Sequence, residues 1–206
     1  GIHFSDDVGT PELPAQIIGN TIQWNEGSGI SVAFGPNYVE IVGNIVRGNS
    51  AGYTAGGMEL RKCYGLVAGN LIEGNEGYYG GGIHCDFGGV EIVGNVLVGN
   101  TAEVSGGGLR VDLDGYQVLI ANNTVVGNTS LEYGGGATFA CDTVLAMNNI
   151  FWDNTAPNGP QLMLFHVNSL EYNDIAGGQD SIGVDPEATL IWGPGNIDED
   201  PLFEPG

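Results

Sequence analysis

The chain has 206 residues, 42% of them hydrophobic, which suits one globular domain with a sizeable core rather than two. Four Lys and Arg stand against 25 Asp and Glu, a formal charge of −21 that excludes a phosphate-tracking nucleic-acid binder and disfavours docking on an anionic membrane. The 37 glycines lack the strict third-residue period of collagen and imply many tight turns, and no apolar run is long enough to insert in a membrane.

The chain opens on Gly1-Ile2-His3-Phe4, a motif that recurs downstream as the middle of a repeat. It therefore reads as a piece of a longer protein, and a missing signal segment carries no information. The repeat itself is first complete at Gly19-Asn20-Thr21-Ile22-Gln23-Trp24-Asn25 and returns with its first Asn at 44, 70, 95, 123 and 149, steps of 24, 26, 25, 28 and 26. A second Asn follows five residues after each first one. In phase with these, glycines precede an apolar-polar-apolar triplet at Ile30-Ser31-Val32, Met58-Glu59-Leu60, Ile83-His84-Cys85, Leu109-Arg110-Val111 and Ala137-Thr138-Phe139.

A period near 25 residues means a solenoid or a propeller, and the number of strands per period decides between them. About three short strands fit. That is too few for a propeller blade, while this much glycine, Val and Ile excludes helical repeats. One lap of a parallel β-helix remains. Asn at the corners is expected to adopt the left-handed conformation and to pair amide to amide with the next lap. Both Asn columns are structural on this reading. The matches to the glycosylation acceptor pattern at Asn122-Asn123-Thr124 and Asn128-Thr129-Ser130 are by-products of it.

These in-phase segments resemble the right-handed parallel β-helix repeat proteins, related in fold to pectate lyases and other polysaccharide-processing enzymes. Gly195-Asn196-Ile197-Asp198-Glu199-Asp200-Pro201-Leu202-Phe203 is similar to the segment that closes the helix in many secreted bacterial members. The resemblance implies an all-β right-handed solenoid of about seven coils over 1–206, with Tyr172-Asn173-Asp174-Ile175 as a degenerate last copy and 176–206 as an irregular closing segment. It further implies a secreted or cell-surface location. The same fold carries lyases, hydrolases, epimerases, adhesins and plain stalks, so function must come from a site.

Side chains alternate along a strand, so with the first and third triplet positions inward, the second and fourth face solvent. The second column is then His3, Ser31, Glu59, His84, Arg110 and Thr138; the fourth is Ser5, Ala33, Arg61, Asp86, Asp112 and Ala140. At ~4.8 Å per coil, Glu59, Arg61, His84, Asp86, Arg110 and Asp112 form one patch. Members of the resembled fold that act on polysaccharide commonly bind it along this face. On that reading His84 is the base, Asp86 and Asp112 share a proton or a cation, and Arg110 stabilises developing charge. Glu59, Arg61, Tyr78 and Tyr79 bind substrate, with Tyr53 and Tyr133 in equivalent loops. A chain this acidic repels polyuronates, so a lyase would need Ca²⁺ held by Asp86, Asp112, Asp114 or Asp142. The same six residues also read as a solvated face of cross-strand ion pairs.

Cys63, Cys85 and Cys141 are expected as buried thiols, and Trp24 and Trp152 as surface or loop-packing residues. Two functions stay open: a domain that binds or processes extracellular polysaccharide on its outward strand face, or a structural or adhesive rod, capable of end-to-end self-association through an open strand edge at its start.

Overall fold

The computed structural model describes residues 1–5, 9–33, 37–112 and 117–203. Among these residues three long parallel sheets run the length of the chain, each contributed one strand per lap. The first contains Ile2–Phe4, Ile30–Val32, Met58–Arg61, Ile83–Asp86, Leu109–Asp112, Ala137–Phe139, Leu162–Leu164 and Ile182–Val184, in that order. The second runs from Ala15–Ile18 to Thr189–Trp192 and the third from Thr21–Gln23 to Asp174–Ile175. No described helix is long and apolar enough to cross a membrane.

The register follows the hydrophobic pattern. Ile30, Met58, Ile83, Leu109, Ala137 and Leu162 are successive partners, as are Val32, Leu60, Cys85, Val111, Phe139 and Leu164, and all are buried. A one-residue slip would turn these columns out to water, so the alternation itself enforces pairing. The second sheet adds Ile17, Ile41, Val67, Ile92, Ile120, Ala146 and Leu170, and the third adds Ile22, Val46, Ile72, Leu97, Val125, Phe151 and Ile175.

The Asn columns stack as expected. Asn70 donates from its backbone N–H (3.0 Å) and its side-chain amide (2.9 Å) to Oδ1 of Asn95, and Asn95 repeats the pattern onto Asn123. The column extends from Asn20 to Asn196, and a second one links Asn25, Asn49, Asn75, Asn100, Asn128 and Asn154 before ending on Oε1 of Gln161 at 2.7 Å. Each interior amide also donates to a backbone carbonyl of the preceding lap, as Asn95 does to Val67 at 2.9 Å. The left-handed residue, however, is not the ladder Asn. It is the one before it, Gly43, Gly69 and Gly94 or Asn122 and Asn148, with φ between 55 and 64. The turn is made one residue early, and the Asn that follows it is buried with its amide bonded to the preceding lap.

Two further features depart from the sequence reading. The laps hold a fourth short strand, Glu76–Tyr79, Thr101–Ser105 and Thr129–Ser130, which forms its own three-stranded sheet just before the chain enters the first one. The stretch from 176, expected to be irregular, holds a 3₁₀ turn at Gly178–Ser181 and two strands that continue the first and second sheets. Asn196 continues the ladder 23 residues after Asn173. The triplet Ile182-Gly183-Val184 is preceded by Ser181 instead of a glycine, so its frame is hidden in the sequence.

Candidate functional site

The six residues of the expected patch do come together. His84 is paired in register with Glu59 on one side and Arg110 on the other, and Asp86 with Arg61 and Asp112. Their exposure is not what strand alternation implied. The column of Arg61, Asp86 and Asp112 is partly open to solvent, but Glu59 and His84 retain only 2% and 4% of their accessible surface and Thr138 none. Over His84 the cause is the end of the fourth strand; Glu59 is bonded to the Ala55 N–H and Thr138 to the Tyr133 carbonyl, in the loops before the first sheet. Tyr79 lies with its ring centroid 5.9 Å from that of His84, and a Cβ on Gly80 would sit 2.9 Å from the His84 Cβ. The face expected to be bare is therefore roofed. The signal was present in Glu76-Gly77-Tyr78-Tyr79 and Thr101-Ala102-Glu103-Val104-Ser105, runs containing aromatic and β-branched residues between a ladder Asn and a glycine run.

Beneath that roof the charges satisfy one another. His84 Nδ1 lies 3.2 Å from Glu59 Oε2 and Nε2 lies 2.9 Å from Asp112 Oδ2. Burial opposes protonation of the ring, but the hydrogen bonds and negative charges of Asp112 and Glu59 outweigh it and raise the pKa to about 9. At neutral pH His84 is thus an imidazolium donating from both nitrogens. The expected general base has neither a free lone pair nor an open approach.

Glu59 also accepts from the backbone N–H of Ala55 at 2.9 Å and from Arg61 Nε at 2.7 Å. Burial raises its pKa, yet the His84 hydrogen bond and charge, with the help of Ala55 and Arg61, leave it below the ordinary value. Asp112 behaves alike: the penalty of burial is overcome by His84 and Arg110. Arg110 donates to Asp112 Oδ2 and Ser105 Oγ and holds its guanidinium 4.5 Å from the centroid of the Tyr79 ring. Three anions (Glu59, Asp86, Asp112) and three cations (Arg61, His84, Arg110) make the cluster neutral as a whole.

Asp86 is the member held most loosely, 3.9 Å from Arg61, and burial raises its pKa despite the nearby His84 and Arg61 charges. It partners Asp112 in register as expected, but Asp112 already accepts from two donors. Among the described residues no group of three or more His, Cys, Asp or Glu is placed to hold a metal ion. The His84 and Arg110 bonds both fall on Oδ2 of Asp112. Asp142 stands apart, 3.8 Å from His166 on an exposed surface, and Asp114 lies outside the described residues.

The tyrosines expected to stack on substrate divide by role. Tyr79 is engaged by Arg110 and meets Tyr78 edge-on at 4.7 Å, and Tyr133 meets Phe165 edge-on at 6.3 Å, whereas Tyr53 is free of the roof and highly exposed. Cys63, Cys85 and Cys141 are buried thiols outside any disulfide, as expected. Burial pushes Cys63 up to about 12 and Cys85 upward too, so neither is a nucleophile at neutral pH.

A second concave surface, which the sequence did not single out, lies on the third sheet. It is lined by Trp24, Arg47, Gly48, Glu73, Gly74 and Val98 and encloses about 380 Å³. The signal for it is positional: where the next four laps place Gly48, Gly74, Gly99 and Gly127, the first places Trp24.

No curated protein and no solved structure matches this chain. The family described as the right handed beta helix region matches residues 1–166, in agreement with the parallel coils, the three continuous sheets and the stacked Asn columns, and the chain belongs to that family.

Proposed function

We propose that this domain is a non-catalytic β-helix rod of an extracellular or cell-surface protein, and that the six-residue charge cluster is a fastening for the fourth strand. The observation that carries this reading is His84: both ring nitrogens are occupied, by Glu59 and by Asp112, under a roof made of Tyr79 and the adjoining glycines. A charge that is fully paired and covered stabilises an arrangement; it does not move protons to a substrate. The rod reading includes end-to-end association through the outermost strands of the first sheet, Ile2–Phe4 and Ile182–Val184, which light scattering across a concentration series would detect.

One observation favours polysaccharide processing instead. The neighbouring Asp86 and Asp112 have pKa values displaced in opposite directions, up by burial and down by His84 and Arg110, the condition for an acid beside a base. Incubation with neutral and uronate polysaccharides, read by reducing ends and by absorbance of unsaturated products, separates the two. The rod reading expects no products, and Asp112→Asn to lower stability. Depolymerisation that Asp86→Asn abolishes in a folded protein would overturn it.

A further inference from the structure

Between the second and third sheets the chain turns at the Asn column, and the outward positions on both sides of that turn form an uncharged band. On the second sheet Val42, Ala68, Val93, Ala121 and Met147 are successive partners. Across the turn, Ile45, Leu71, Val96, Thr124 and Ile150 are successive partners on the third. Their neighbours along each strand fill the core, so alternation turns these side chains out, and all but Ala121 are at least partly exposed. The residue between each pair is Gly43, Gly69, Gly94, Asn122 or Asn148, flat or uncharged and open to solvent. In the last two of these laps the band widens, to Leu119 and Leu145 on one side and Val126 and Trp152 on the other.

Carboxylates frame this band. Glu40 and Glu91 stand on the second sheet two residues before Val42 and Val93, and Glu171 takes the place after Met147. Arg47, Arg61 and Arg110 are paired with other acids, and among the described residues none of these three glutamates meets a cation. Beside Glu91 the surface sinks. Gly89, the partner of Tyr64, has no side chain, and a hollow of about 310 Å³ is lined by Gly89, Val90, Glu91, Gln117, Leu119 and Leu145. Apolar walls with a single carboxylate suit the stem and charged head of a Lys or Arg.

We propose that this band docks a basic amphipathic helix of another protein. The helix lies along the coil axis with its apolar face on the two columns, and one of its Lys or Arg side chains enters the hollow against Glu91. The shape of the partner follows from the strands. Gly89–Val93, Gln117–Ala121 and Thr143–Met147 are hydrogen-bonded on both sides, so no edge accepts an added strand, and a partner must bring its backbone already satisfied. The columns cross four coil steps, about 19 Å, the length of about 13 helical residues. A helical turn rises ~5.4 Å against ~4.8 Å per lap, so successive turns meet successive laps. The charge of the partner follows from the frame of glutamates. A second copy would instead bring a further −21 and its own carboxylates against this face. The proposal goes beyond the rod reading, making the rod a mount for a partner, and uses none of the charge cluster.

The probe is a synthetic helix of about 18 residues, Leu on one face and Lys on the other, titrated by calorimetry at physiological salt. A scrambled peptide of the same composition, oligolysine, and a version with Glu for Lys are the controls. The expected result is saturable binding of the patterned Lys peptide, weakened at least tenfold by Leu119→Thr with Leu145→Thr, about threefold by Glu91→Gln, and unchanged by Trp24→Gly. Glu91→Gln alters only an exposed side chain and carries the test if the Thr pair unfolds the protein. No binding, equal binding of the scrambled peptide, oligolysine or the Glu version, or binding that the folded variants leave intact would overturn the proposal. So would dimerisation, seen by light scattering, that the Thr pair abolishes, since the band would then belong to a second copy. Depolymerisation lost in Asp86→Asn would contradict the rod reading while leaving this band untouched.

Discussion

The Asn ladder and the charge cluster are both buried polar stacks built on the same coil spacing, but they achieve satisfaction differently. In the ladder each member is identical to its neighbours, and an amide is both donor and acceptor, so any number of laps can be added without leaving a group unpaired. The cluster is made of unlike residues that cannot repeat: His84 must lie between Glu59 and Asp112, and the strand column of Glu59, His84 and Arg110 ends where Thr138 takes the next place. A self-complementary stack can be read from a period alone. A heterogeneous one depends on what covers it.

Breaking each stack in its middle sharpens that contrast. His84→Ala leaves the covered Glu59 and the partly exposed Asp112 without the cation between them and is expected to cost about 3 kcal/mol in denaturant unfolding at neutral pH. The exposed pair of Arg47 and Glu73 is the control, and Arg47→Ala should cost under about 1 kcal/mol. Asn95→Ala removes the acceptor for Asn70 and the donor to Val67 and Asn123, and should cost about 2–4 kcal/mol at any pH from 5 to 9.

The pH dependence distinguishes the two stacks in the intact protein. The His84 pKa is raised from 6.5 to about 9 on folding, so its contribution is complete below 6.5 and is lost as pH rises through about 9, at most about 3 kcal/mol. Glu59 and Asp112 are shifted the other way, so their contribution is complete above 4.5 and lost as pH falls through their lowered values. Stability should therefore be flat between about pH 5 and 6.5 and decline on both sides, and His84→Ala should remove the alkaline decline.

The smallest effect concerns a place where the repeat lapses. Asn168 stands fully buried in the inward column that holds Val118 and Val144 in the two laps before it, and its Oδ1 has no partner. Asn168→Val should raise stability by about 1–2 kcal/mol, read as a higher unfolding midpoint with an unchanged slope.

What the sequence disclosed follows the same division. The coils, the inward columns and the Asn ladder were legible because each lap restates them, and the six charged residues could be brought together because register is set by the triplets. Their burial could not be read from alternation, which describes a single sheet and is silent about a strand laid over it. The surroundings of His84 were hidden for that reason: two carboxylates and a roof lie about the ring, and on the reading proposed above they make it a fixed cation. Trp24 stayed inconspicuous because it stands out only against the glycines of later laps, and the last strands stayed hidden because Ser181 replaces the marker glycine.

The most direct test is the titration of the His84 ring by NMR in the folded protein. A midpoint near 9, with both N–H protons protected from exchange below it, is the predicted result. A midpoint at or below 6.5, with one ring nitrogen unprotonated at neutral pH, would contradict the account and return His84 to the position of a general base.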